Sequence, residues 1–301
     1  MSALTFATAQ MLRIMPRARL GRAAGRLAEV RWPDPVGRAV VAVYSKAYGV
    51  SLDECRRKGP WPTFDAFFTR ELAHGVRPVD GDARAIVSPA DGRIESMGAI
   101  DGGGTFVVKG RPYSVEELVG DAVEANRFRG GAGFVVYLSP RDYHRVHAPA
   151  SGVVRRIRSM PGDYFPVNAI GLRHIPNLFC RNRRVAIEID ADGGLGRVTV
   201  VMVVAIIVGR ITAIGIDARD VPLGDHTLDP PARVAKGDEI GVFHLGSTAV
   251  VLTERRPDGG RWLVAEGPVR YGEALMRAAD PVRTHDAATR PAQDGHSGAG
   301  Q

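Results

Sequence analysis

With 301 residues and 45% hydrophobic content, the chain can form one large domain or two modest ones and carries material for a sizeable core. A net charge of +7 and a pI near 9.8 favour an anionic partner, whether nucleic acid, an anionic membrane surface or a phosphorylated substrate. Only four of the 40 basic residues are lysines (Lys46, Lys58, Lys109, Lys236), and no aromatic-basic module supports nucleic-acid binding. Cys55 and Cys180 stand far apart with no partner motif, which argues against a disulfide framework and for reduced thiols in a cytosol-facing protein.

Residues 2 to 31 place Phe6, Met11, Leu12, Ile14, Met15, Leu20, Leu27 and Val30 among six arginines, with Glu29 the only acid. That composition suits a basic amphipathic helix in a membrane interface. A core-packing helix, an Arg-rich transit peptide and a disordered basic tail are competing readings. Pro33 and Pro35 end the segment. Residues 36 to 58 read as helical, and a short helix follows with Thr63 as its N-cap. Beyond about residue 80, short Val/Ile-rich runs punctuated by glycine and proline predict a mainly β region. One helix interrupts it at Ser114 to Gly120, where Ser114 and Glu117 have capping-box spacing.

Two segments repeat a turn leading into a strand: Pro89-Ala90-Asp91-Gly92-Arg93-Ile94 and Pro149-Ala150-Ser151-Gly152-Val153-Val154. With Gly162-Asp163 and Lys236-Gly237-Asp238-Glu239-Ile240-Gly241 they resemble the turn grammar of biotinyl/lipoyl-type barrel-sandwich domains, without the modified lysine. The most apolar run, Val198 to Val208, is roughly half the length of a membrane-spanning helix and reads as a buried strand or strand pair. After Arg277 apolar periodicity disappears, and the 281–301 tail is expected to be disordered.

Three places could carry chemistry. In Ser139-Pro140-Arg141-Asp142-Tyr143-His144-Arg145-Val146-His147, two histidines stand three apart after an apolar strand. They could share a zinc ion or simply hydrogen-bond within a loop, and no ligand at familiar spacing completes a metal set. Asp91 would by default cap its own turn. Near the C-terminus, Gly246-Ser247-Thr248 interrupts an apolar strand running from Val242 to Leu252, so the step is a bulge or a reactive point. Asp91, His147 and Ser247 together supply a carboxylate, an imidazole and a hydroxyl, the parts needed to activate a serine nucleophile.

Leu245-Gly246-Ser247-Thr248, the Ser139-to-His147 motif and Pro89-Ala90-Asp91-Gly92 make the chain resemble phosphatidylserine decarboxylases of the bacterial and mitochondrial type. The resemblance continues through Lys109-Gly110-Arg111-Pro112-Tyr113-Ser114, Pro161-Gly162-Asp163-Tyr164-Phe165-Pro166-Val167-Asn168 and Pro176-Asn177-Leu178-Phe179-Cys180-Arg181-Asn182, over roughly residues 60 to 275 in unbroken order. It implies a proenzyme that cuts itself between Gly246 and Ser247, giving a β chain 1–246 and an α chain 247–301. Ser247 Oγ would attack the Gly246 carbonyl, the ester would β-eliminate, and the new N-terminus would lose ammonia to become a pyruvoyl cofactor.

By the same resemblance His147 is the general base, Asp91 the carboxylate that orients it, and His144 a candidate in the decarboxylation. The pyruvoyl group would then hold the amine of phosphatidylserine as a Schiff base and act as the electron sink for loss of CO2. Glycine before the serine suits backbone geometry that a Cβ would block.

The expected fold is α+β: a mainly β catalytic domain (76–280) of antiparallel, barrel-sandwich-like sheets behind N-terminal amphipathic helices (1–75). The strand after Ser247 should stay paired with strands before the cut, since the two pieces need a reason to remain together. The expected location is the cytoplasmic face of the cell membrane as a peripheral protein, with phosphatidylserine and an anionic membrane surface as partners. The cleaved chains would form a heterodimer, and the resemblance implies a homodimer of these. Two departures from the family pattern stand out, Val204 in place of a glycine and Arg210 in place of a serine; Val204 could slow maturation or narrow the pocket, and Arg210 could change the pace of cleavage. The rival readings are a barrel-sandwich scaffold whose Gly-Ser-Thr is a bulge, and a zinc hydrolase using His144 and His147.

Overall fold

The computed structural model describes residues 17–167, 169–206 and 210–279. The first half of the basic N-terminal segment, the end of the 198–208 apolar run and the 281–301 tail lie outside the described residues.

Three helices come first: α1 (Arg17–Ala28), α2 (Asp34–Tyr48) and α3 (Phe64–Phe68). Pro33 precedes α2 and Pro35 sits in its first turn, where a missing N–H costs nothing. The helix expected over 36 to 58 ends ten residues early, because Gly49 takes a left-handed conformation and caps it onto the Ser45 carbonyl. Thr63 caps α3, its hydroxyl accepting from the Ala66 N–H at 3.0 Å. Val41, Val50, Trp61 and Phe67 form a small apolar cluster separate from the main core.

The remainder is antiparallel β structure. Its strands are β1 (Ala85–Val87), β2 (Gly92–Ala99), β3 (Thr105–Val108), β4 (Arg111–Ser114), β5 (Ala132–Leu138), β6 (Arg145–His147), β7 (Gly152–Met160) and β8 (Arg184–Ala191). They continue as β9 (Gly196–Val204), β10 (Arg210–Ala213), β11 (Gly224–Val234), β12 (Glu239–His244), β13 (Ser247–Thr253), β14 (Gly267–Val269) and β15 (Ala274–Arg277). An eight-stranded sheet runs β11-β7-β8-β9-β13-β5-β2-β14, and a three-stranded one runs β10-β12-β6. The sheets stay open among the described residues, so the turn grammar of the barrel-sandwich domains is present without a closed barrel. Helix α4 (Val115–Val119) has the expected cap, Ser114 Oγ accepting from the Glu117 N–H.

The repeated turns serve a packing need. A Cβ on Gly92 would lie 2.3 Å from the Tyr137 carbonyl oxygen, and one on Gly152 2.2 Å from that of Asp190. Each turn therefore launches its strand against a neighbouring backbone that leaves no room for a side chain. The Val198 run becomes β9, buried along nearly its whole length and opposite β13 from Val198↔Thr253 to Val204↔Ser247.

Candidate active site

The polar step at Gly246-Ser247 is not an interruption within one strand. It is where the chain leaves β12 in the three-stranded sheet and enters β13 in the centre of the eight-stranded one. The crossing takes two left-handed residues in succession, Leu245 (φ 84°) and Gly246 (φ 39°). Glycine occupies that region freely, whereas a branched apolar residue such as Leu245 is strained by about 1–3 kcal/mol. Ser247 opens β13 opposite Leu138 of β5 and Val204 of β9, and the ladder on both sides continues to Thr253. Everything after Ser247 in β13 is thus held by strands that precede it in sequence.

An apolar cavity of about 320 Å³ reaches this junction. Leu245 and Gly246 form one wall, with Leu27, Trp32, Tyr44 and Phe68 from the helical region across from them. The Phe68 ring lies 4.0 Å from that of His144, centroid to centroid. His144 is fully buried, and its backbone carbonyl accepts from the Phe243 N–H at 3.0 Å, next to the end of β12. Nδ1 lies 2.8 Å from the Asp142 carbonyl, an acceptor only, so Nδ1 carries the proton and Nε2 presents a lone pair with no partner among the described residues. Burial, with the nearby Arg70 charge adding to it, pushes the imidazole down to about 3, so it is neutral at pH 7.

Asp65 and Arg210 lie beside the same junction. His244, the last residue of β12, donates from Nδ1 to Asp65 at 2.8 Å and meets the Thr212 hydroxyl through Nε2. Arg210 lies opposite His244 in the β10–β12 ladder and binds both Asp65 and Glu29, each at 2.8 Å. Burial raises the Asp65 carboxyl, but the His244 and Arg210 bonds outweigh it and hold it below the ordinary carboxylate range. Arg210 is thus an ion-pair link between the helical region and the strand that delivers the junction. Val204 is buried, and its carbonyl accepts from Asn182 Nδ2 at 2.8 Å.

His147 and Asp91 occupy a different place. Residues alternate sides along a strand, and His147 falls with Arg145 on the face of β6 away from Val146. His147 pairs in register with Glu239, at the start of β12, whereas the Gly246-Ser247 bond follows its end. Its ring stacks on Tyr271 at 3.9 Å, Nδ1 donates to the Gly237 carbonyl at 2.8 Å, and Nε2 accepts from the Tyr143 hydroxyl at 3.1 Å. Burial lowers its pKa, partly opposed by the Gly237 bond and the charges of Glu239 and Asp91.

Asp91 is bound by Arg77 through Nε and Nη2, the closest contact being 2.7 Å, and it accepts from the Tyr271 N–H at 2.9 Å. No hydrogen bond joins Asp91 to His147 in the structure: Arg77 takes the carboxylate, and a backbone carbonyl sets the imidazole tautomer. His147 lines a polar region of about 830 Å³ with Arg77, Arg145, Glu239 and Tyr271, and Asp91 lies behind its wall, bonded to Arg77.

Of the four expected residues, the structure therefore sets His144 against Phe68, a wall residue of the cavity at the Gly246-Ser247 junction, and groups Asp91 with His147 around Tyr271. The two imidazoles have separate surroundings, one against Phe68 and one against Tyr271, which does not favour the shared-metal reading. Arg77, Tyr271, Phe68, Asp65 and His244 were not singled out from the sequence. Tyr143 lay inside a recognised motif, but Arg77 and Tyr271 carry no local signal because only tertiary contact brings them to Asp91.

Taken together, the open antiparallel β fold, the strained junction between two sheets and the apolar cavity at that junction define the class of a β-rich protein with an apolar site at a strained chain crossing. The model of the phosphatidylserine decarboxylase family matches residues 64–277, and the chain belongs to that family. It is 37% identical over 274 residues to the phosphatidylserine decarboxylase proenzyme of Myxococcus xanthus, covering 88% of this chain and 96% of the relative. Similar matches are the proenzymes of Azotobacter vinelandii (38% over 278 residues, 88% and 96%) and Pseudomonas fluorescens (40% over 280 residues, 88% and 96%).

Proposed function

We propose that this chain is a proenzyme that cleaves itself between Gly246 and Ser247 and then decarboxylates phosphatidylserine to phosphatidylethanolamine. The observation that carries the reading is the junction itself: a strained Leu245-Gly246 turn, with β13 locked between earlier strands, opening on an apolar cavity beside His144. Cleavage there would release local backbone strain without detaching either piece, since the β13 ladders persist. The products 1–246 and 247–301 would remain one heterodimer, and two such units would form a homodimer.

In this reading Ser247 is the nucleophile, His147 its base and Asp91 the carboxylate of that cluster, as the family pattern assigns them. The unpartnered Nε2 of His144 favours a second assignment for the proton transfer, because its ring packs on Phe68, which lines the cavity at the junction. The residues present fit a pyruvoyl group formed from Ser247: the cavity wall at Leu245 and Gly246 is apolar, and the buried His144 Nε2 has no competing partner among the described residues. That group supplies a carbonyl that captures the substrate amine and accepts electrons as CO2 departs. His144 Nε2, a bare lone pair in this tautomer, would accept a proton released from the substrate ammonium as its amine condenses and return it to the substrate carbon once CO2 has left, and Phe68 would hold its ring in place.

The N-terminal region, residues 1–75, would set the enzyme on the cytoplasmic face of the membrane. Leu27, Val30, Val36, Val43 and Tyr48 are exposed on or beside α1 and α2, which suits shallow insertion beside anionic lipid. Among the described residues no helix is long and apolar enough to cross a membrane.

Intact mass tests the core of this reading. The purified protein should appear as two chains split before Ser247, the smaller one blocked by pyruvoyl, and Ser247→Ala should remain one inactive chain. A single uncut chain with full decarboxylase activity overturns the mechanism. His144→Ala and His147→Ala compared for cleavage and for turnover separate the two base assignments.

A further inference from the structure

On the side of α3 away from the apolar cavity lies a second cavity, of about 490 Å³, whose lining is dominated by arginine. Arg56, Arg57, Arg70 and Arg145 converge there with Trp61, and Glu71 is its one acidic wall residue. Glu71 is shared between Arg56 (2.9 Å) and Arg145 (3.5 Å), and Arg145 also pairs with Glu239. Arg57 sits over the Trp61 ring at 5.9 Å.

Arg70 is the unusual member. It is 5% exposed, yet no carboxylate among the described residues pairs with it. Its Nη2 donates to the carbonyls of Arg141 (2.8 Å) and Asp142 (3.2 Å) and its guanidinium lies over the Phe67 ring at 5.6 Å, while Nε and Nη1 have no oxygen or nitrogen acceptor among the described residues, the Cys55 thiol being a weak neighbour. The Trp61 Nε1–H is buried and unpartnered as well. A buried guanidinium with two orphaned N–H faces is costly unless an anion completes it. Several guanidinium forks around one space match the tetrahedral oxygens of a phosphate, which can accept more bonds than the cavity leaves open.

We propose that this cavity binds a phosphate group, with Arg70 as the buried anchor and Arg56 and Arg57 closing over it from the surface. The ligand chemistry is a phosphomonoester or phosphodiester, supplied either by the headgroup of an anionic phospholipid or by free phosphate. The site stands apart from the Gly246-Ser247 junction and takes an anion that is not undergoing reaction there.

The test uses the full chain. Inorganic phosphate is titrated calorimetrically at fixed ionic strength, and flotation measures retention on phosphatidylcholine vesicles with and without phosphatidylglycerol. Wild type should bind phosphate saturably, and Arg56→Gln/Arg57→Gln should lose about tenfold or more in affinity, the size of one charge-assisted hydrogen bond. Arg155→Gln, a surface arginine paired with Asp190 elsewhere, should bind as wild type. Loss of phosphatidylglycerol-dependent retention in the double variant identifies a lipid headgroup as the source, and unchanged retention with lost phosphate binding identifies free phosphate. No saturable phosphate binding by wild type, or an equal loss in Arg155→Gln, overturns the proposal. Arg70→Lys serves as a second variant: it keeps the charge but not the fork and should also weaken phosphate. Neither readout uses decarboxylation, so failure here leaves the proposed reaction untouched.

Discussion

Removing the Asp91 carboxylate tests whether that residue acts first through Arg77 or through His147. In the structure the Arg77 side chain is 5% exposed and Asp91 12%, so the pair is buried, while Glu54, the other partner of Arg77, is 38% exposed. Breaking a buried pair from one side costs roughly 3–5 kcal/mol. Glu54 still compensates part of the guanidinium charge, which puts Asp91→Ala near the lower end, and the Tyr271 N–H loses its acceptor at about 1 kcal/mol. A loss of about 3–4 kcal/mol lowers the melting temperature by roughly 6–16 °C in a protein of this size range.

The assay is calorimetry in a Ser247→Ala background, where every variant stays uncut and the state compared is the same. Asp91→Asn keeps an acceptor for Tyr271 and should lose clearly less. Arg77→Leu combined with Asp91→Leu should recover most of the loss, because no unpaired charge remains. If Asp91→Ala instead melts within about 1 °C of its parent while abolishing cleavage in the Ser247 protein, the pair is not structural. Asp91 would then act on His147 directly, against the hydrogen bonds described above.

Other expectations follow from single features. Gly92→Ala should destabilise by about 3 kcal/mol or more, since its Cβ would meet the Tyr137 carbonyl at 2.3 Å; a denaturant midpoint near wild type would show that β2 can shift. His144 is held neutral down to about pH 3, against an ordinary value near 6.5. The unfolded chain therefore takes up a proton first on acidification, and stability falls between those two pH values by several kcal/mol. His144→Asn should flatten that part of the stability profile measured by urea unfolding, and an unchanged slope counts against the buried neutral imidazole. Val36→Glu with Val43→Glu, both at exposed apolar sites on α2 outside the cavity wall, should reduce flotation on mixed vesicles about tenfold or more while leaving cleavage intact. Retained flotation would remove the helical face from the membrane reading.

Much of the architecture was legible in the chain because it is local. The Thr63 and Ser114 caps, the paired Pro-Ala-x-Gly turns and the β9 run depend on neighbours within a few residues, and each appears where the pattern put it. The α2 boundary was misplaced since a single left-handed Gly49 ends a helix whose periodicity runs on. Residue types in order also sufficed to point to the family, whose model matches residues 64–277.

Which of those residues meet was decided only in three dimensions. Strand alternation sends His144 and His147 to different surroundings, and a register opposite Glu239 carries His147 toward Tyr271 and away from the end of β12. Asp91 finds Arg77 through the fold, not through any spacing in the chain. The Gly246-Ser247 step reads in sequence as a polar break in one strand. The tertiary structure makes it a crossing between two sheets, because β12 and β13 find their hydrogen-bond partners in different sheets and the backbone must turn left-handed to join them.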